Sequence, residues 1–259
     1  MASLDPRFSS TSSVRECQCP KPEGSHSKPR KLVVCIDGTS NRFGTRNTNV
    51  VELYSQIKKS KDQLTYYSSG IGTYAKQSYT SWSYLKRCLA SYADQALALH
   101  LDRSLLAAYR WLADNYREGD HIFLFGFSRG AYQVRILAGM IHEVGLILPG
   151  NNEQIPLYDL TTFPSLEEEN RELAATFKKT FSRQNVRVHF VGVWDTVSSV
   201  GFLRNQTLPL TTTSKEHMCF FRHALALDER RVKFLPEYIY GGQADQSDRG
   251  VVTRTLEAC

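Results

Sequence analysis

The residues whose types and spacing can do chemistry lie in Phe125-Gly126-Phe127-Ser128-Arg129-Gly130-Ala131-Tyr132. A serine framed as Gly-x-Ser-x-Gly suits a nucleophile held in a sharp bend between a strand and a helix. The flanks have the right character. His121-Ile122-Phe123-Leu124-Phe125 reads as a buried strand after the Glu118-Gly119-Asp120 turn. Ala131, Val134, Leu137, Ala138 and Ile141 then recur at helical spacing, with a stop near Gly145. In that setting the bend aims Ser128 Oγ out from the strand's C-terminal end. Backbone N–H groups from Arg129 onward lie at a helix N-terminus, where they can stabilise an oxyanion. The Arg129 side chain is read either as structural or as a contact for an anionic substrate group such as a lipid phosphate. The plain alternative is a tight glycine turn capped by Ser128.

A serine nucleophile needs a base to accept its proton and an acid to orient that base. Asp195 ends the predicted strand 186–193 and is the acid by position; its other reading is a capping residue. Only His217 and His223 follow Asp195, and both fall in 215–227, a segment that reads as helix. His223 serves as base only where that helix faces the bend. Asp37-Gly38-Thr39 closes the apolar run Leu32-Val33-Val34-Cys35-Ile36. The Gly38 and Thr39 amides would complete an oxyanion hole with Asp37 fixing their loop, or the three are turn residues alone. Haloacid-dehalogenase-type phosphatases also carry Asp-Gly-Thr after a buried strand, but they place a nucleophilic aspartate where this chain has Cys35.

Positioning these groups requires alternating elements. Apolar runs at 32–36, 64–67, 121–125 and 186–193 read as strands buried on both faces. Thr48-Asn49 caps a helix carrying Val50, Val51, Leu53, Tyr54 and Ile57. A long amphipathic helix spans 93 to 116 through Leu97, Leu101, Leu105, Ala108 and Leu112, and a charged one spans 166 to 181. Gly70-Ile71-Gly72-Thr73 is a turn after the second strand, and 149–163 is a loop insertion. Such alternation implies a mostly parallel sheet with helices on both faces.

With 41% apolar and 22% charged residues, the composition is that of a soluble globular protein, and no run is long enough to span a membrane. The net charge is +6, yet the basic residues are scattered, which excludes a specific nucleic-acid stripe and leaves peripheral attraction to anionic membranes. The first nineteen residues lack an apolar signal core, so the expectation is a cytoplasmic chain with reduced cysteines. Cys17-x-Cys19 has no second Cys/His pair near it at zinc spacing, so neither a metal nor a cofactor is expected. Nothing in the sequence fixes an oligomeric state.

The Gly126–Tyr132 segment resembles the nucleophile motif of the type VI secretion phospholipase effectors of the first Tle class, members of a broad α/β-hydrolase domain family. Other blocks are similar in the same order: Ile36-Asp37-Gly38-Thr39-Ser40-Asn41 with Thr48-Asn49-Val50, Gly70-Ile71-Gly72-Thr73, Val193-Trp194-Asp195-Thr196-Val197, and His223-Ala224-Leu225-Ala226-Leu227-Asp228-Glu229-Arg230-Arg231. The resemblance implies an α/β-hydrolase-like sheet over 31–240, after a disordered segment 1–30 and before an atypical tail 241–259. It implies a serine ester hydrolase acting on lipid esters, with Ser128, Asp195 and a histidine as the reacting set. In the family that histidine follows a further strand in a His-x-Asp-Val-Gly-Gly type loop, which this chain lacks after Gly241-Gly242. The expectation is therefore a sheet short of its C-terminal strand, as truncation would leave it. Two readings stay open: a hydrolase, or a catalytically impaired hydrolase-like domain with a binding or regulatory role.

Overall fold

The structure is a computed structural model that describes residues 17, 19, 28–38, 47–69, 103–151, 153, 168–183, 185–195, 218–226 and 254–258. Strand β1 (Lys31–Ile36) shows why its sequence lacks polar alternation. Leu32, Val34 and Ile36 enter one core cluster, while Val33 and Cys35 enter a second on the opposite face. A strand covered on both sides must be apolar at every position. Helix α1 (Asn49–Gln56) starts at Thr48, whose hydroxyl accepts the Val51 N–H at 3.2 Å, as the capping pattern predicts. Strand β2 (Gln63–Ser68) follows, then the described helical residues 103–115, here α2.

Next come β3 (His121–Phe127), α3 (Arg129–Val144), the short β4 (Leu146–Ile147), α4 (Glu168–Phe181), the short β5 (Ser182–Arg183) and β6 (Val188–Trp194). Strands β7 (Met218–Ala226) and β8 (Arg254–Ala258) complete the set. Six strands form one sheet in the order β2-β1-β3-β6-β7-β8, every pair parallel. Helices α2 and α3 cover one face through Leu105, Ala108, Leu112, Val134, Leu137 and Ile141, against Ile122 and Leu124 of β3. Helix α1 covers the other, with Val50, Tyr54 and Ile57 against Cys35, Phe123 and Phe125. An antiparallel pair, β4 with β5, ties the exit of α3 to the end of α4.

Chain direction across the sheet reverses between β1 and β3. From β1 the chain runs outward to β2, whereas β3 begins the run toward β6, β7 and β8. Connections then leave in opposite directions from the C-terminal ends of β1 and β3, opening a crevice where ligands bind in parallel α/β sheets.

Three expectations change. Within 215–227, expected to be helix, residues 218–226 are strand β7, paired in register with β6. The sheet, expected to end in an unpaired edge for want of a last strand, instead has residues 254–258 of the tail paired with β7 as β8. Within the stretch expected to be disordered, Cys17 and Cys19 contact β6 and β7, and Arg30 forks onto Asp120 through Nε–Oδ1 at 3.1 Å and Nη2–Oδ2 at 2.5 Å. Thr39, Gly70-Ile71-Gly72-Thr73, Leu97, Leu101, His217, the 228–231 block and most of 149–163 lie outside the described residues.

Candidate active site

Ser128 sits between β3 and α3 with φ 55° and ψ −119°. A serine adopts such a conformation only when its surroundings over-determine it, at a cost of about 1–3 kcal/mol. Three features impose it. Ser128 N–H donates to Trp194 O at 3.0 Å, extending the β3–β6 ladder one residue past the strand. Ser128 C=O accepts the Tyr132 N–H at 3.4 Å, closing the first turn of α3. The flanking glycines let that turn pass over its neighbours. A Cβ at Gly126 would lie 2.5 Å from Gly130 O, and one at Gly130 would overlap Ile36 O and come within 2.5 Å of Asp37 O. The motif's glycines are thus the contact of α3 with β3 and with the end of β1. Ser128 makes no side-chain cap to α3, which sets aside the simple capping reading.

Asp195 follows β6, the strand beside β3, and Phe127 is in register with Trp194. Ser128 and Asp195 therefore leave the sheet from neighbouring strands at the same C-terminal edge, where strand spacing is about 4.8 Å. Asp195 also has positive φ, 41°, and its N–H donates to Ala224 O at 2.9 Å. Among the described non-glycine residues, positive φ occurs at Ser128 and Asp195 alone. They are the two residues that the sequence singles out as nucleophile and acid.

Across the crevice, Asp37 is buried, at 1% exposure, and works as a hub. Its Oδ1 accepts the Gly38 N–H at 2.6 Å. Its Oδ2 accepts Thr48 Oγ1–H at 2.9 Å and Tyr67 Oη–H at 3.1 Å. Burial first, then the Asp37 charge, raises the Tyr67 phenol, so it stays a donor. Asp37 thereby ties the end of β1 to the cap of α1 and to β2. The Gly38 N–H, an expected oxyanion donor, donates here to that carboxylate. The first-turn amides of α3, from Arg129, have no acceptor within their own helix by its geometry. The Arg129 guanidinium is half-buried, and burial lowers its pKa. Thr48 and Tyr67 were not legible as Asp37 partners, because the sequence shows them only as a cap and a strand residue. At the phosphatase position, Cys35 is fully buried, its thiol pushed up to about 12 by burial and then by Asp37.

The structure does not bring His223 to Ser128. In register, His223 pairs with Val193, which pairs with Gly126, so His223 lies two residues below the level of Ser128. It is 4% exposed, its ring is edge-on to Phe221, and the Arg135 charge of α3 acts on it. Burial first, then Arg135, holds its pKa down at about 4. Among the described residues His121 and His189 lie near the N-terminal ends of β3 and β6, and His142 near the end of α3. Sequence reasoning also missed a cluster that the fold assembles elsewhere: Cys17, Cys19, His189 and Cys219 converge, so the expectation that Cys17-x-Cys19 lacks partners does not hold.

A six-stranded parallel sheet with a strained serine bend at its reversal point defines an α/β-hydrolase-like domain. The chain belongs to the family of type VI secretion phospholipase effector Tle1-like catalytic domains, whose pattern it matches over residues 30–257. It is 37% identical over 232 residues to protein YEL023C of Saccharomyces cerevisiae, a match that covers 82% of this chain. The chain spans about a third of that relative's length, 33%. Among solved structures it is similar to the Tle1 effector bound to the VgrG spike of a type VI secretion system, at 16% identity and TM-score 0.34, covering 91% of this chain and 51% of that one. An inhibited esterase B from Lactobacillus rhamnosis is similar at 15% identity and TM-score 0.32, covering 79% and 59%. No helix among the described residues is long and apolar enough to cross a membrane.

Proposed function

We propose that the chain is a serine-nucleophile ester hydrolase acting on lipid esters, with Ser128 attacking the carbonyl carbon and Asp195 orienting the base. The observation that carries this reading is the shared positive φ of Ser128 and Asp195 on adjacent strand ends at the crevice. Family membership supplies the phospholipase-like substrate class. Attack forms a tetrahedral oxyanion, held by the first-turn amides of α3 with the positive end of the helix dipole behind them. The base takes the Ser128 Oγ proton and gives it to the alcohol that collapse expels; water, deprotonated by the same base, then releases the acid and restores Ser128. The +6 charge favours peripheral contact with an anionic membrane, and Arg129 is suited to a phosphate group there.

A second reading is favoured by one observation. His223, the described histidine that follows the acid in sequence, is a core residue facing α3 rather than the crevice. This supports a catalytically impaired domain that binds rather than turns over lipid esters. Fluorophosphonate labelling of the purified chain separates the two. Hydrolase chemistry predicts labelling and p-nitrophenyl or phospholipid ester turnover, both lost in Ser128→Ala. An unlabelled wild type, or equal labelling of Ser128→Ala, overturns it and leaves the binding reading.

A further inference from the structure

The end of the sheet opposite the crevice carries a second cluster of reactive groups. His189 is the second residue of β6 and Cys219 the second of β7. Val188 pairs with Met218 and Phe190 with Phe220, so His189 and Cys219 stand abreast. Cys17 and Cys19 close over them from the N-terminal segment. Cys17 Sγ lies 3.0 Å from His189 Nδ1 and 3.0 Å from Cys219 Sγ. Cys19 Sγ lies 3.6 Å from His189 Nδ1 and 3.5 Å from Cys219 Sγ. All four donor atoms are within 4.8 Å of one another.

We infer that Cys17, Cys19, His189 and Cys219 form a structural zinc site. A tetrahedron with Zn–S of about 2.3 Å and Zn–N of about 2.0 Å separates its ligand atoms by roughly 3.5–3.8 Å. The two Cys19 edges, 3.5 and 3.6 Å, match that cage, and the two 3.0 Å edges from Cys17 are contracted. Three thiols and an imidazole suit a borderline-soft ion of tetrahedral habit and disfavour calcium or magnesium, which take oxygen. Without a cation the arrangement has little to hold it, since thiols are weak donors and weak acceptors. Binding releases three thiol protons and leaves three thiolates and a neutral imidazole on the dication.

The surroundings also fit a metal ligand. The His189 ring stacks on His121 at 4.5 Å with planes 3° apart, and packs against Phe123 at 4.9 Å and Phe220 at 5.4 Å. That packing fixes the ring so that Nδ1 faces the sulfurs. The Cys19 N–H donates to Cys17 Sγ at 3.3 Å, a contact that orients a first ligand from outside the coordination set. Four protein ligands leave no open position, which is the mark of a structural rather than a catalytic zinc. The site is five residues down β6 from Trp194, about 16 Å from the Ser128 edge at strand rise. Its role is to fasten the N-terminal segment across β6 and β7.

The test uses the full chain, purified under reducing conditions without chelator and analysed for metal. One zinc per chain is expected. Cys17→Ser, Cys19→Ser and Cys219→Ser should each lower occupancy roughly tenfold or more, because metal binding and folding are coupled here. Since those variants can fail to fold, two measurements do not depend on them. Cobalt(II) added to the metal-stripped wild type should give the visible bands of a tetrahedral ion with thiolate charge transfer. His189→Cys should keep one zinc per chain and strengthen that charge transfer. A wild type that is zinc-free and gives no tetrahedral cobalt spectrum overturns the site.

Discussion

Ser128 and Asp195 hold a backbone conformation that neither side chain favours, and each is pinned by a ladder bond to the strand beside it. Ser128 was legible in the sequence because its glycines have a local steric cause: the bend cannot be built with a Cβ at Gly126 or Gly130. His223 was not legible, because what decides its chemistry is Arg135, a residue of α3 that only the fold brings near. A pH prediction follows for it. The folded pKa, about 4, lies below the ordinary value of 6.5, so the unfolded chain binds this proton more readily. The stabilisation is complete above the unfolded value and is lost as pH falls from 6.5 toward 4. At full effect it amounts to about 3 kcal/mol. In urea melts, the wild type should lose that amount between pH 7 and pH 4 relative to His223→Gln. Parallel pH profiles for the two proteins would remove His223 from the account. Ser128 labelling should survive in His223→Gln, since the ring lies below the crevice on the α3 face.

At the scale of elements, β1, β2, β3, β6, α3 and α4 were readable because burial on one stripe or on both faces leaves its mark on sequence. Strand β7 was not. Met218-Cys219-Phe220-Phe221-Arg222-His223-Ala224-Leu225-Ala226 is rich in helix formers, and pairing with β6 overrides that preference. What decided it is the inward alternation of Phe221 and His223, too short to outweigh composition. The packing of α3 on β1 gives a sharper test of the elbow. A methyl at Gly130 would meet Ile36 O and Asp37 O, both main-chain atoms at the end of a central strand. They cannot yield without disturbing the β1 ladders and the hydrogen bonds of Asp37. Gly130→Ala should therefore cost about 3 kcal/mol or more by chemical denaturation. Gly150→Ala is the control: at φ 87° with no atom within 4 Å, it should cost only about 1 kcal/mol, from backbone strain alone. Equal costs at the two positions would mean that α3 does not rest on β1 as described.

Across the whole molecule the sheet carries reactive side chains at both ends, with the serine bend at the C-terminal ends of its strands and the Cys/His cluster near the N-terminal ends. The first was legible because its residues are contiguous; the second was not, because its ligands are separated by 172 and 202 residues from Cys17. The sheet's outer edge yields the last prediction. Strand β8 pairs with β7 from Arg222↔Arg254 to Ala226↔Ala258. A ladder hydrogen bond contributes a net of about 1 kcal/mol, whereas fixing the backbone costs about 1–2 kcal/mol per residue. Pairing alone therefore adds little to stability, and the consequence of β8 is to cover the peptide groups of β7. An uncovered parallel edge is a template for another chain. A chain ending at residue 250 should thus melt within roughly 5 °C of the full chain, the shift that about 1 kcal/mol gives. At the same time it should self-associate, with light scattering after size exclusion reporting oligomers that grow with concentration. A truncated chain that stays monomeric at every concentration would mean that β8 does not guard the edge, and a large drop in melting temperature would mean that its contribution is packing rather than cover.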